Sequence, residues 1–119
     1  MLREISRVRQ IPGEPRRRWF SDDCLDLTVW YAEAPQVLGF QLCYDKPDIE
    51  RAVTWWRDGG LRHQRVDGGE QRPDRYKRSP LLLDDEQMDV EKLLRLFAGR
   101  AACLEASLVR LVEERLRDW

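Results

Sequence analysis

Hydrophobic residues recur at every second position through the first half of the chain. The stretches LDLTVWY (25–31) and VLGFQLCYD (37–45) both alternate apolar and polar side chains. AVTWWR (52–57) does the same, and LRHQRV (61–66) follows it after an Asp-Gly-Gly turn. A two-residue period is typical of a β-strand with one buried face, and short turns of this kind favour antiparallel hairpins. The pattern therefore predicts a β-meander.

Two more segments extend this sheet, and a third interrupts it. RRRWF (16–20) is predicted as a strand that leads through Ser-Asp-Asp into Leu25, and LLL (81–83) as an edge strand. DGGEQRPDRYKRSP (67–80) is polar and interrupted by Gly and Pro, which predicts a long loop. We expect four to six strands within about residues 15–83.

After Asp85 the hydrophobic period changes to the 3.6 residues of an α-helix. Two apolar stripes follow one another, comprising Val90, Leu93, Leu94, Phe97, Ala98 and Ala101, then Leu104, Leu108, Leu111, Val112, Leu116 and Trp119. Asp89 is well placed to cap the first helix. Gly99 and the small residues after it predict a break near 101–105, with a single bent helix as the alternative. The helical region covers about residues 88–118.

Strands followed by helices are the α+β pattern. We predict one domain over residues 1–119, with an antiparallel β-meander of four to six strands followed by two C-terminal α-helices packed on one face. The covered face is expected to contain Leu27, Val29, Leu38, Phe40, Leu42, Val53 and Trp55.

The neighbouring residues Trp55 and Trp56 must point to opposite faces of their strand. Trp55 follows Val53 on the predicted core side, so Trp56 lies on the other face. That face would carry Trp30, Gln41, Cys43, Thr54 and Trp56. Three interpretations remain open: a second, minor core under the N-terminal segment, a contact with another subunit or protein, or a surface that binds a small ligand.

Composition and charge narrow the choice of partner. The chain is 42% hydrophobic and 36% charged with a formal net charge of -1, so no overall field draws it to nucleic acid or to a membrane. No segment is apolar for the 18 or so residues of a membrane span. Weak nucleic-acid binding through Arg16–Arg18 and a basic loop stays a second alternative. That loop contains Arg72, Arg75, Lys77 and Arg78.

His63, the single histidine, is the candidate for chemistry. A small-molecule or enzymatic pocket near His63, Cys43 and Trp56 is the first alternative function, since a thiol and an imidazole can act together. No Cys or His pair has the spacing of a zinc site, and no cofactor is predicted. The three cysteines are widely spaced, which favours free thiols in a reducing cytoplasm.

The strand motifs RRRWF, DLTVWY, GFQLCYDK and RVDGGE, taken in order, resemble a family of small uncharacterised bacterial proteins. The resemblance implies a bacterial, cytoplasmic protein and supplies no catalytic or binding residue. The first functional hypothesis is a non-enzymatic binding or interaction module. It would use the face that bears Trp30 and Trp56 to contact a protein partner or a second copy of the chain.

Overall fold

The computed structural model describes residues 1–6, 8–33, 36–45, 50–67, 81–84 and 88–119. Within them, one antiparallel sheet is followed by two helices. The strands are β1 (Arg3–Glu4), β2 (Arg16–Ser21), β3 (Asp26–Tyr31), β4 (Val37–Tyr44), β5 (Arg51–Trp56), β6 (Gly60–Asp67) and β7 (Leu81–Asp84). The helices are α1 (Val90–Ala98) and α2 (Ala106–Arg117).

The strands lie in the sheet in the order β1 to β7, so every strand pairs with its neighbour in sequence. This confirms the predicted meander and its two C-terminal helices. The two-residue strand β1 was not predicted. It pairs with the end of β2, where Arg3 lies opposite Ser21. The predicted loop 67–80 lies outside the described residues, apart from Asp67 at the end of β6.

One face of the sheet is buried under the helices. Phe40, Leu42 and Val53 have no exposed surface, and Trp55 is 9% exposed, as the alternating pattern predicted. The prediction for Leu38 was wrong, because Val37 takes the buried position and Leu38 is only half-buried. A break in the β3–β4 register after Trp30 explains the exchange, since it places Val37 opposite Tyr31.

Both helices turn their apolar stripes to this face. Asp89 caps α1, since its carboxylate accepts the Lys92 N–H at 3.0 Å. The buried residues are Leu93 and Phe97 in α1 and Leu108, Val112 and Leu116 in α2. The chain breaks between the helices over residues 99–105, which confirms two helices over one bent helix. Trp119, predicted to continue the second stripe, is instead 44% exposed.

The turn after β5 decides which side of β6 faces the helices. Gly60 adopts a positive φ of 75°, a conformation that glycine tolerates at little steric cost, and it lies opposite Trp56. This register places His63 opposite Val53, whereas Arg62 lies opposite Thr54. Because directly opposed residues share a face, His63 points to the helices and Arg62 points away from them.

Candidate functional site

Trp30 and Trp56 form a ring pair on the face of the sheet that the helices leave uncovered. Their ring centroids lie 4.8 Å apart with the planes inclined by 32°. Gly39 lies between them, opposite both Trp30 and Trp56 in the register. A Cβ on Gly39 would lie 2.5 Å from Cε3 of Trp56, so the missing side chain is what lets the indole rest on the strand. The sheet thus builds a fixed aromatic platform.

Trp19 enlarges the apolar part of this face. Trp19 belongs to β2 and lies opposite Thr28 of β3. Its side chain is 38% exposed, close to the 39% of Trp56. The Ile5 N–H donates to the carbonyl of Trp19 at 2.8 Å, which places the exposed Ile5 beside it at the edge of the sheet. We call the surface formed by Trp19, Trp30 and Trp56 the tryptophan face.

Polar side chains lie between and around the three indoles. Gln41 donates from Nε2 to Thr54 Oγ1 at 3.0 Å, and Cys43 lies on the same strand two residues beyond Gln41. Arg17 lies opposite Trp30, and Asp26 lies opposite Cys43. The face therefore has an aromatic part, a row of neutral polar groups and charges of both signs.

The part of the N-terminal segment that the structure describes, residues 1–6 and 8–14, leaves Trp56 exposed. It adds to the edge of the sheet beside β2, since Gln10 exchanges hydrogen bonds with the backbone of Arg17 at 2.9 and 3.0 Å. The Arg17 side chain donates from Nε to the carbonyl of Arg9 at 2.9 Å. The interpretation of a minor core under the N-terminus is therefore wrong for Trp56, which keeps 39% of its surface exposed.

His63 does not join the tryptophan face. It is 2% exposed under the helices, where its Nε2 shares a 2.5 Å hydrogen bond with the Tyr44 hydroxyl. Its ring meets the Trp119 ring edge-on at 5.8 Å between centroids. Trp30, Cys43 and Trp56 share the opposite face, so the predicted pocket that combines His63 with Cys43 and Trp56 is wrong.

The three consecutive arginines that suggested nucleic-acid binding point in alternating directions. Arg17 lies on the side of the tryptophan face, and Arg18 lies on the helix side over the Phe20 ring. The Arg18 guanidinium makes paired hydrogen bonds to Glu4, at 2.9 and 2.7 Å, and to Glu105, at 3.0 and 2.9 Å. These bonds raise the pKa of Arg18 above its ordinary value and lower that of Glu4. Arg18 is thus compensated by two carboxylates, and the rest of the proposed basic surface, 72–78, lies outside the described residues.

Asp22 joins the β2–β3 turn to the end of α1. Its Oδ1 accepts the backbone N–H groups of Cys24 and Leu25 at 2.8 and 2.7 Å, and its Oδ2 accepts Arg100 Nη1 at 2.9 Å. Burial raises the carboxyl pKa, but the two backbone donors and the guanidinium outweigh it and hold the pKa of Asp22 well below its usual range. With its side chain only 6% exposed, Asp22 is part of the fold and not a reactive acid.

A cleft of about 470 Å³ opens on the helix side, between the start of α2 and one end of the sheet. Its walls include Arg16, Arg18, Tyr31, Arg57, Ser107 and Leu111, and we call it the arginine cleft. The arginine cleft was not predicted from the sequence. The two-residue period did contain a signal for it, since Arg57 follows Trp55 by two positions and therefore points to the helix side.

The remaining chemistry of the described residues is limited. Cys24, Cys43 and Cys103 do not form disulfides with one another. Within the described ranges, no three His, Cys, Asp or Glu side chains are grouped so that they could hold a metal ion. Neither helix in this part of the chain has the length and apolar character needed to cross a membrane.

Comparison with known proteins gives no match to a family model, to a curated protein or to a solved structure. The resemblance to a family of small bacterial proteins therefore stays a prediction.

Proposed function

We propose that the protein is a non-enzymatic interaction module that pairs with a second copy of itself through the tryptophan face. One observation carries the proposal: Trp19 and Trp56 are 38% and 39% exposed on the face of the sheet that α1 and α2 do not cover. Large exposed aromatic groups on one surface of a small domain are typical of protein contact sites.

The make-up of the face supports a protein contact. Tryptophan and arginine dominate the binding energy of many interfaces, and aromatic centres with a polar rim are common. Here the rings of Trp30 and Trp56 already pack against each other, so little side-chain entropy is lost when they are covered. Arg17 and Arg62 supply the basic part of the rim.

A second copy fits the charge and the size of this face. Asp26 accompanies the two arginines, so the face carries both signs and does not simply repel itself. Five strands spaced ~4.8 Å apart, six residues long at ~3.3 Å each, span roughly 480 Å². Stable dimers bury about 800 Å² on each partner. We therefore expect a weak, concentration-dependent dimer.

We place this module in a bacterial cytoplasm. The absence of disulfides among the three cysteines supports a reducing compartment, because the thiol of Cys103 is exposed and would be open to oxidation elsewhere. The bacterial origin depends on the resemblance of the strand motifs alone.

Sedimentation equilibrium tests the proposal. The mass of the wild-type chain should rise with concentration from 14.2 kDa towards twice that value. Trp56→Ala should weaken the association by about tenfold or more, as for a central aromatic contact. The thiols are kept reduced throughout, so that a disulfide dimer is not mistaken for the proposed contact.

Trp119→Ala is the matched control. Trp119 is 44% exposed, similar to Trp56, but it lies on the helix side against His63. Its replacement should leave the association constant unchanged. A monomer at every concentration, or an equal loss in both variants, would contradict the proposal.

A further inference from the structure

Arg57 is held in a fixed position at the arginine cleft. Its backbone N–H donates to the Leu38 carbonyl at 2.8 Å, and its guanidinium donates to the Val37 carbonyl from Nε at 3.2 Å and from Nη2 at 2.7 Å. These three bonds tie it to the start of β4. Nη1 has no hydrogen-bond partner within the part of the chain that the structure describes, and it remains available to an acceptor.

The charge in the cleft is only partly compensated. Glu105 and Glu4 are both bound by Arg18, so their carboxylates are already paired. Arg57 and Arg16 have no carboxylate within ion-pair distance among the described side chains. The Tyr31 hydroxyl lies 3.3 Å from Arg18 Nη1, and Ser107 adds an exposed hydroxyl at the first turn of α2. The cleft thus has two guanidinium groups and two hydroxyl groups for an incoming anion.

The other walls of the cleft are apolar. Val37 and Leu108 are buried, and Leu111 is half-buried on the next turn of α2. Clefts that bind small molecules are commonly about 300–1,000 Å³ with an apolar lining and a few polar groups, and this cleft of about 470 Å³ falls in that range. Guanidinium groups suit carboxylate and phosphate oxygens in particular, because their planar forks give paired hydrogen bonds.

We propose that the arginine cleft binds a small organic anion, in which a carboxylate or phosphate head group contacts Arg57 and Arg16 and an aliphatic body lies against Leu108 and Leu111. The site is on the helix side of the sheet, so it does not depend on self-association through the tryptophan face. A failure of one proposal leaves the other unaffected.

An NMR titration of the full chain tests the site, with hexanoate and hexyl phosphate as probes and 1-hexanol as the neutral control. We expect saturable amide shifts for at least one anion, centred on Val37, Arg57, Ser107 and Leu111. The anion that binds more tightly identifies the head group. Hexanol should bind about tenfold or more weakly, because it cannot form charge-assisted hydrogen bonds.

Two variants distinguish an effect on anion binding from an effect on folding. Arg57→Gln removes the charge and should weaken anion binding about tenfold or more. Because Arg57 also holds the start of β4, Ser107→Glu provides an independent test. An acid in the first turn of a helix favours folding, but here it would add a negative charge to the wall of the cleft and reduce the binding of an anion.

Arg62→Gln is the matched control, since Arg62 is exposed on the opposite face and should not affect the titration. Three results would overturn the proposal. They are the absence of saturable shifts with both anions, equal binding of hexanol, and unchanged anion affinity in both Arg57→Gln and Ser107→Glu.

Discussion

The two faces of the sheet are built by alternate residues of the same strands, but they differ in what covers them. Phe40 and Val53 are fully buried by the helices, whereas Trp19 and Trp56 on the other face each keep more than a third of their surface exposed. Aromatic residues on the covered face hold the domain together. On the tryptophan face, Trp30 and Trp56 contact each other without Trp56 being enclosed. Stability and association are therefore expected to depend on different sides of one sheet.

The largest expected effect is on the covered face. Phe40→Ala should lower the free energy of unfolding by about 3–5 kcal/mol, because it removes a fully buried ring and leaves a cavity. Urea denaturation followed by circular dichroism measures the loss. A change below about 1 kcal/mol would contradict the assignment of Phe40 to a tightly packed core.

Gly39 lies where there is no room for a side chain between its own strand, the backbone of Trp55 and the ring of Trp56. Gly39→Ala should lower stability by about 1–3 kcal/mol through overpacking, because its Cβ would lie 2.5 Å from both the Trp55 carbonyl oxygen and the Trp56 ring. The displaced indole should also weaken the far-ultraviolet exciton signal of the Trp30–Trp56 pair.

Gly99→Ala is the matched control for this prediction. Its nearest neighbours would lie at 3.5 and 3.8 Å, which is ordinary contact, and its φ of -70° suits any residue. The double variant Gly39→Ala/Trp56→Ala should recover only part of the loss, because the clash with the backbone oxygen of Trp55 remains. Full recovery would show that the clash with the Trp56 indole alone causes the loss of stability.

The alternation of residues made much of this arrangement predictable. It places Trp55 and Trp56 on opposite faces, because adjacent side chains in a strand cannot share one. The position of Asp89 before an apolar stripe predicts its capping role. These are local rules, and they hold wherever the strand or helix is regular. Leu38 was assigned wrongly because a register shift interrupts the alternation beside it.

Features that depend on register or on distant contacts were not predictable. The side to which His63 points is set by the turn at Gly60, and a different loop length would have reversed it. Arg18 pairs with Glu105, which is 87 residues away in sequence, so no local pattern shows that this arginine is compensated. The arginine cleft likewise combines three strands and α2.

A substitution of Asp22 tests how much its bonds between the β2–β3 turn and Arg100 stabilise the fold. Its pKa is lowered in the folded state, so it stabilises the fold above its ordinary pKa of ~3.9, and that contribution is lost as the pH falls below this value towards the folded pKa. Asp22→Asn should cost about 1–2 kcal/mol at neutral pH. The urea midpoints of the two proteins should converge in acid. A constant difference across this range would show that the charge of Asp22 is not what matters.

The smallest effect on stability is expected from Trp19→Ala. Trp19 is 38% exposed at the edge of the tryptophan face, and substitutions at such positions usually change the free energy of unfolding by no more than about 0.5 kcal/mol. The same variant should nevertheless weaken self-association, since Trp19 would be covered by the second copy. Urea denaturation at a concentration where the chain is monomeric gives the free energy of unfolding, and sedimentation gives the strength of self-association.

If Trp19→Ala lowers stability as much as a core substitution, the indole belongs to the fold and the contrast between the two faces fails. If it changes neither quantity, the contact surface is confined to the Trp30–Trp56 pair, and the edge formed by Trp19 and Ile5 lies outside it.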